Sequence, residues 1–130
     1  AALEEYEELH SYFKRNPAFL YSYAMASFKR GDLDRAARLI EECGQHWNGY
    51  NRELLAGDIC SYREEYPDAI VHYEAACAMC PVRFAPLEGL YKVYDLTGDE
   101  ERRNAIARQI ADKDIKVYSS AIWQIKENCK

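Results

Sequence analysis

The chain has 130 residues, 22 acidic against 17 basic side chains and a formal net charge of −5. A chain of that length forms one domain and buries roughly two-thirds of the surface its unfolded form exposes, so it needs no disulfides to fold. Its Lys and Arg are interleaved with acids rather than gathered in a stripe. That excludes a binder of phosphate backbones, and no nucleic acid partner is expected.

No apolar run approaches the ~20 residues that cross a bilayer, and no signal-peptide pattern is present. The sequence opens in acidic residues, Glu4, Glu5, Glu7 and Glu8, and reads as a piece of something longer. Any membrane attachment is therefore expected only through a parent chain. The odd number of cysteines (Cys43, Cys60, Cys77, Cys80 and Cys129) argues against a disulfide framework and for small buried apolar side chains.

Leu3, Tyr6, Leu9, Tyr12 and Phe13 fall at helical spacing and predict a leading helix over 3–14. Asn16-Pro17 stops it and starts the next, since Asn caps helices well and Pro suits the first helical position. The first hairpin spans 17–44. Its first helix carries Phe19, Leu20, Tyr23, Ala24 and Phe28, and Gly31 ends that helix. Asp32 caps the partner helix, which presents Leu33, Ala36, Ala37, Leu39, Ile40 and Cys43. Gln45 to Gly49 reads as a loop.

The second hairpin spans 50–80. Leu54, Leu55, Gly57, Ile59 and Cys60 lie on its first helix; Pro67 opens the second, with Ala69, Ile70, Tyr73, Ala76 and Cys77. Gly57 weakens a helix interior by up to ~1 kcal/mol, which points to a close helix contact in compensation. The third hairpin spans 84–112, opens at Pro86 and turns at Gly98-Asp99. Here a small residue is expected near Leu90-Tyr91 and is missing. Residues 113–118 read as a short extended connector, and 119–128 as a helix that caps the open end of the array.

The hairpins echo one another. Ala24 is answered by Gly57, Ala36 by Ala69, Ile40 by Tyr73 and Cys43 by Ala76, while Gly31-Asp32 returns as Gly98-Asp99. A helix hairpin repeated about every 34 residues resembles the tetratricopeptide repeat. That resemblance implies an all-α, right-handed α-α superhelix of about three hairpins.

Three patterns carry a narrower resemblance. They are Tyr6-x-x-Leu9 with Asn16-Pro17-x-Phe19-Leu20-Tyr21-x-Tyr23-Ala24; Met79-Cys80-Pro81-x-Arg83-Phe84-x-Pro86-Leu87-x-x-Leu90-Tyr91; and Lys116-Val117-x-Ser119 with Ile122-x-x-Ile125-Lys126. Together they resemble the soluble C-terminal tail of bacterial O-antigen ligase/polymerase-like membrane proteins, which move lipid-linked glycans. The resemblance implies attachment to the bacterial inner membrane through the parent chain. It carries over no catalytic residue, because the membrane domain is not part of this sequence. The partner it implies is another protein of the glycan pathway or the parent's own membrane domain. The alternative is a free-standing adaptor that binds a peptide segment. Arg83 has two readings, a cap for the carbonyls at a helix end or a contact to a partner.

Chemistry is thinly supported. Cys43-x-x-His46 and Cys77-x-x-Cys80 have zinc-ligand types, but they sit one repeat apart, about a helix diameter rather than a metal bond length. No phosphate-binding Gly loop, nucleophile elbow or H-E-x-x-H motif appears. The expectation is a non-catalytic interaction domain with no cofactor and no metal. Stacked hairpins usually bind partners on the concave side, which their first helices line. The candidate liners are Tyr21, Met25, Asn51, Asp58, Tyr62, Glu88 and Lys92, with core packing as the other reading for Tyr21 and Met25 and plain solvent exposure as the other reading for the polar ones.

Overall fold

The computed structural model describes residues 2–112, which form seven α-helices: α1 (Ala2–Phe13), α2 (Pro17–Lys29), α3 (Leu33–His46), α4 (Tyr50–Tyr62), α5 (Tyr66–Met79), α6 (Ala85–Thr97) and α7 (Glu100–Asp112). The expected connector at 113–118 and capping helix at 119–128 lie outside the described residues. Pairs α2–α3, α4–α5 and α6–α7 are antiparallel hairpins stacked in chain order, so the chain is an all-α helical repeat.

Each hairpin turn is built the same way. Gly31, Glu64 and Gly98, spaced by 33 and then 34 residues, all have positive φ, at 84°, 62° and 77°. In each turn the next amide bonds back five residues along the chain: Asp32 N to Ser27 O (2.9 Å), Glu65 N to Cys60 O (2.8 Å) and Asp99 N to Tyr94 O (2.9 Å). These are Schellman ends, which satisfy carbonyls the helix leaves without partners. Asp32 and Asp99 then cap the next helix by accepting from Arg35 N (3.2 Å) and Arg102 N (3.1 Å).

The middle turn is weaker on both counts. Glu64 bears a Cβ in a left-handed conformation that disfavours one by roughly 1–2 kcal/mol, and Glu65 makes no side-chain cap bond. Glu64→Gly is therefore expected to stabilise the fold by about 0.5–1 kcal/mol, once the greater flexibility of unfolded glycine is subtracted. A thermal melt that moved down, not up, would show that Glu64 contributes more through its side chain than it loses in its backbone.

Two details differ from the sequence reading. α3 continues to His46, and Trp47 N still bonds Cys43 O at 2.9 Å. Nothing in Gln45-His46 opposes the helix, and the chain turns only at Trp47–Gly49. In the third hairpin the missing small residue is supplied by Gly89, one position before the expected pair. A Cβ there would fall 2.5 Å from the Tyr73 ring.

The buried residues form two clusters. The first joins Leu20, Tyr23 and Ala24 of α2, Ala36, Leu39, Ile40 and Cys43 of α3, and Leu55, Ala56 and Ile59 of α4. The second joins Ala69 and Tyr73 of α5, Leu87, Leu90, Val93 and Tyr94 of α6, and Ile106 and Ile110 of α7. α4 also sends Leu54 and Cys60 into the second. α1 closes the near end through Tyr6, stacked on Tyr23 at 5.2 Å and tilted against Phe19 at 5.6 Å.

One inter-helix joint is polar. Glu53 and His72 sit one repeat from Leu20 and Leu39 on one side and from Leu87 and Ile106 on the other. The middle hairpin thus holds an acid and an imidazole where its neighbours hold aliphatic side chains. Glu53 is buried at 6% exposure and Arg52 at 9%. His72 Nδ1 pairs with Glu53 Oε2 at 2.7 Å, and Arg52 Nη2 donates to Glu53 Oε1 at 2.8 Å. Asn48 Nδ2 also donates to Glu53 Oε1, at 2.9 Å. Arg52 spends its other donors on Asn48 Oδ1 (2.7 Å) and Ile40 O (3.2 Å). Gly44 leaves room for the guanidinium, since a Cβ there would lie 2.8 Å from Arg52 Nη1. The network ties α3, the α3–α4 link, α4 and α5 together.

Candidate binding groove

The first helices touch along the array, α2 with α4 and α4 with α6, whereas α3 and α5 make no such contact. Hairpins that meet at one edge and separate at the other bend toward the edge that meets. α2, α4 and α6 therefore form the inner face.

That face carries a groove of about 570 Å³ between α4 and α6, floored by α5. Tyr73 builds the floor. Its ring leaves α5 and lies between two glycines, Gly57 of α4 and Gly89 of α6; a Cβ on either would come within 2.8 Å or less of ring carbons. Glycine on both walls is what lets the ring pass between the two first helices. Its hydroxyl donates to Asp58 Oδ1 at 2.5 Å.

Burial pushes the Asp58 carboxyl up from the usual carboxylate range, against the Tyr73 hydrogen bond and the Lys92 ammonium, which both pull it down. Burial also pushes the Tyr73 phenol up, with the hydrogen bond to Asp58 and that carboxylate's charge acting in the same direction. The phenol therefore stays protonated and donating.

Around this floor stand Phe28 and Tyr62, edge to face at 5.3 Å, with Leu54, Tyr66, Glu64, Glu88, Lys92 and Leu96. Tyr62 is 70% exposed and Leu96 65%. Among the described residues neither Glu88 nor Lys92 makes an ion pair within 4.0 Å.

Of the seven residues proposed from the sequence, Asp58, Tyr62, Glu88 and Lys92 come together in this groove. Tyr21 and Asn51 line a second hollow on the same face, of about 380 Å³, with Pro17, Ala18, Ser22 and Trp47. Met25 lines neither hollow; half-buried, it packs against the first core cluster.

Sequence reasoning missed Phe28, Tyr66, Tyr73 and Trp47. Tyr66 and Tyr73 come from a second helix, whereas the repeat pattern places the liners on first helices. A signal was present: two glycines facing one tyrosine mark a ring that crosses between helices. Trp47 falls within the predicted 45–49 loop. Its indole lies on Gly49, where a Cβ would fall 2.5 Å from Cζ2, and it forms one wall of the second hollow. Arg83 sets its guanidinium over the Tyr50 ring, 5.1 Å from the centroid, a cation–π contact.

The candidate chemical groups stay dispersed. Cys43 is fully buried, its Sγ donating to Pro17 O at 3.4 Å, and burial pushes its thiol up. Cys60 is pushed up to about 11, first by burial and then by Glu65 and Asp68. Neither is set up as a thiolate nucleophile. Among the described residues no group of three or more His, Cys, Asp or Glu is placed to hold a metal ion. No helix among them is long and apolar enough to cross a membrane. Comparison with protein-family models and with curated proteins brings no match for the chain.

Proposed function

We propose that this chain is a non-catalytic interaction domain whose inner face docks an extended segment of another protein. The observation that carries the reading is the groove over Tyr73. It leaves Tyr62 and Leu96 largely exposed beside Glu88 and Lys92, which make no ion pair among the described residues, on the face where the helices converge. Exposed aromatic and apolar groups ringed by polar ones are what recognition sites use.

The resemblance to the tails of O-antigen ligase/polymerase-like proteins extends the proposal. The parent would be an inner-membrane glycan ligase or polymerase, and the docked segment would belong to a partner protein or to the parent's own membrane domain. Membrane-spanning segments encoded upstream of Ala1 support that parent, and a soluble leader or further hairpins support the free-standing adaptor.

Binding itself is tested with random dodecapeptides displayed on phage. Enriched peptides are expected to bind the native chain and to lose at least fivefold in affinity with Tyr62→Ala or Lys92→Ala. Val71→Ala, at an exposed α5 position outside the groove, is expected to leave binding unchanged. No enrichment, or equal sensitivity at Val71, overturns the reading.

A further inference from the structure

Resting on that reading, we infer that the groove selects a basic side chain, so that its occupant is a peptide segment bearing a Lys or Arg set against Asp58 and Glu88. Three carboxylates, Asp58, Glu64 and Glu88, line the groove against one ammonium, Lys92. The Asp58 carboxylate is held among buried groups, and among the described residues the Tyr73 hydroxyl is its one hydrogen-bond donor. A carboxylate there gains more from an arriving cation than an exposed one does, because the surroundings screen less.

The remaining walls suit the same guest. Tyr62, Phe28 and Tyr66 put aromatic groups around the carboxylates. Aromatic faces attract guanidinium and ammonium groups and accept the alkyl stem behind the charge. An acidic side chain meets the opposite situation, three like charges for one cation. A purely apolar segment leaves Asp58 and Glu88 covered and uncompensated.

α4 also fixes a register. It lines both hollows, with Asn51 in one and Asp58 in the other. Seven residues of helix span about 10 Å, and a peptide in the polyproline II conformation advances about 3.1 Å per residue and brings every third side chain to the same side. A segment lying along α4 therefore places an apolar side chain against Trp47 and Tyr21 three residues away from the basic one.

The dodecapeptide selection separates this inference from the reading beneath it. The expected result is enrichment of Lys or Arg three positions from an apolar residue. Changing that basic residue to Gln is then expected to weaken binding about tenfold, the factor 1.4 kcal/mol represents. The same change is expected to matter little against Glu88→Gln combined with Asp58→Asn, which keeps an acceptor for the Tyr73 hydroxyl. Glu88→Lys is expected to reverse the preference toward peptides with Glu in place of the basic residue. Enriched peptides that compete for the groove but carry neutral or acidic residues overturn the charge preference and leave the groove standing. Basic peptides whose affinity ignores both carboxylate substitutions overturn it too, since they bind elsewhere. A basic residue with no apolar partner three away removes the second hollow from the site. Failure to enrich anything removes the groove and this inference together.

Discussion

Gly57→Leu and Gly89→Leu are each expected to lower stability by about 2–3 kcal/mol. Helix propensity works the other way, since leaving glycine in a helix interior gains up to about 1 kcal/mol. The outcome turns on whether the Tyr73 ring can move. A Cβ at Gly57 meets ring carbons at 2.8 Å and one at Gly89 meets them at 2.5 Å. Each glycine blocks the escape route from the other, and the hydroxyl is anchored on Asp58. With no retreat for the ring, added volume must push α4 and α6 apart, and overpacking of that kind costs about 1–3 kcal/mol or more. Urea midpoints with unchanged slopes measure it. Adding Tyr73→Ala to Gly57→Leu is expected to cost less than the two changes summed, with a coupling of about 0.5–3 kcal/mol. Strict additivity would mean the leucine is accommodated elsewhere.

Glu53→Ala is expected to cost about 3–5 kcal/mol, because it strands a buried guanidinium and breaks the bonds to Asn48 and His72. The network as a whole gives a different result. Replacing Arg52, Glu53 and His72 together by Met, Leu and Leu copies the aliphatic pairing of the neighbouring hairpins, and stability is expected to hold or rise.

The pH dependence has a definite sign. Burial pushes the Glu53 carboxyl up, but hydrogen bonds from His72, Asn48 and Arg52 outweigh it and hold the group below its ordinary range. Its stabilisation is therefore present above the unfolded carboxylate range, near pH 4.3, and is lost as pH falls through the lower folded value. The triple variant is expected to lose that part of its acid sensitivity. An unchanged acid-unfolding profile would assign the sensitivity to other carboxylates.

Much of the fold could be read from local chemistry. Asn16-Pro17, Gly31-Asp32 and Gly98-Asp99 announce helix ends because their residue types suit those backbone positions. The apolar spacing gives the all-α hairpin repeat. The middle hairpin hid its turn, since Glu64 occupies the left-handed position where both neighbours use glycine. It also hid its polar joint, because nothing in the local sequence around Glu53 and His72 marks an acid and an imidazole as buried partners. Only packing against α3 and α5 buries them. The groove was half visible for a related reason. Periodicity finds the first-helix positions Asp58, Tyr62, Glu88 and Lys92, but not a tyrosine that reaches the inner face from behind. Met25 shows the opposite failure, an inner-face position drawn into the core by its neighbours.

The division of buried side chains between two clusters bears on how the molecule comes apart. Repeats that touch only their neighbours tend to unzip piecemeal. Here α4 is a keystone, with Leu55, Ala56 and Ile59 on one side of the arch and Leu54 and Cys60 on the other. Melting either half strips one flank of α4 bare, and the Glu53–His72 clasp would have to open as well. The ends of the array can fray singly, but the centre is committed to a single cooperative step.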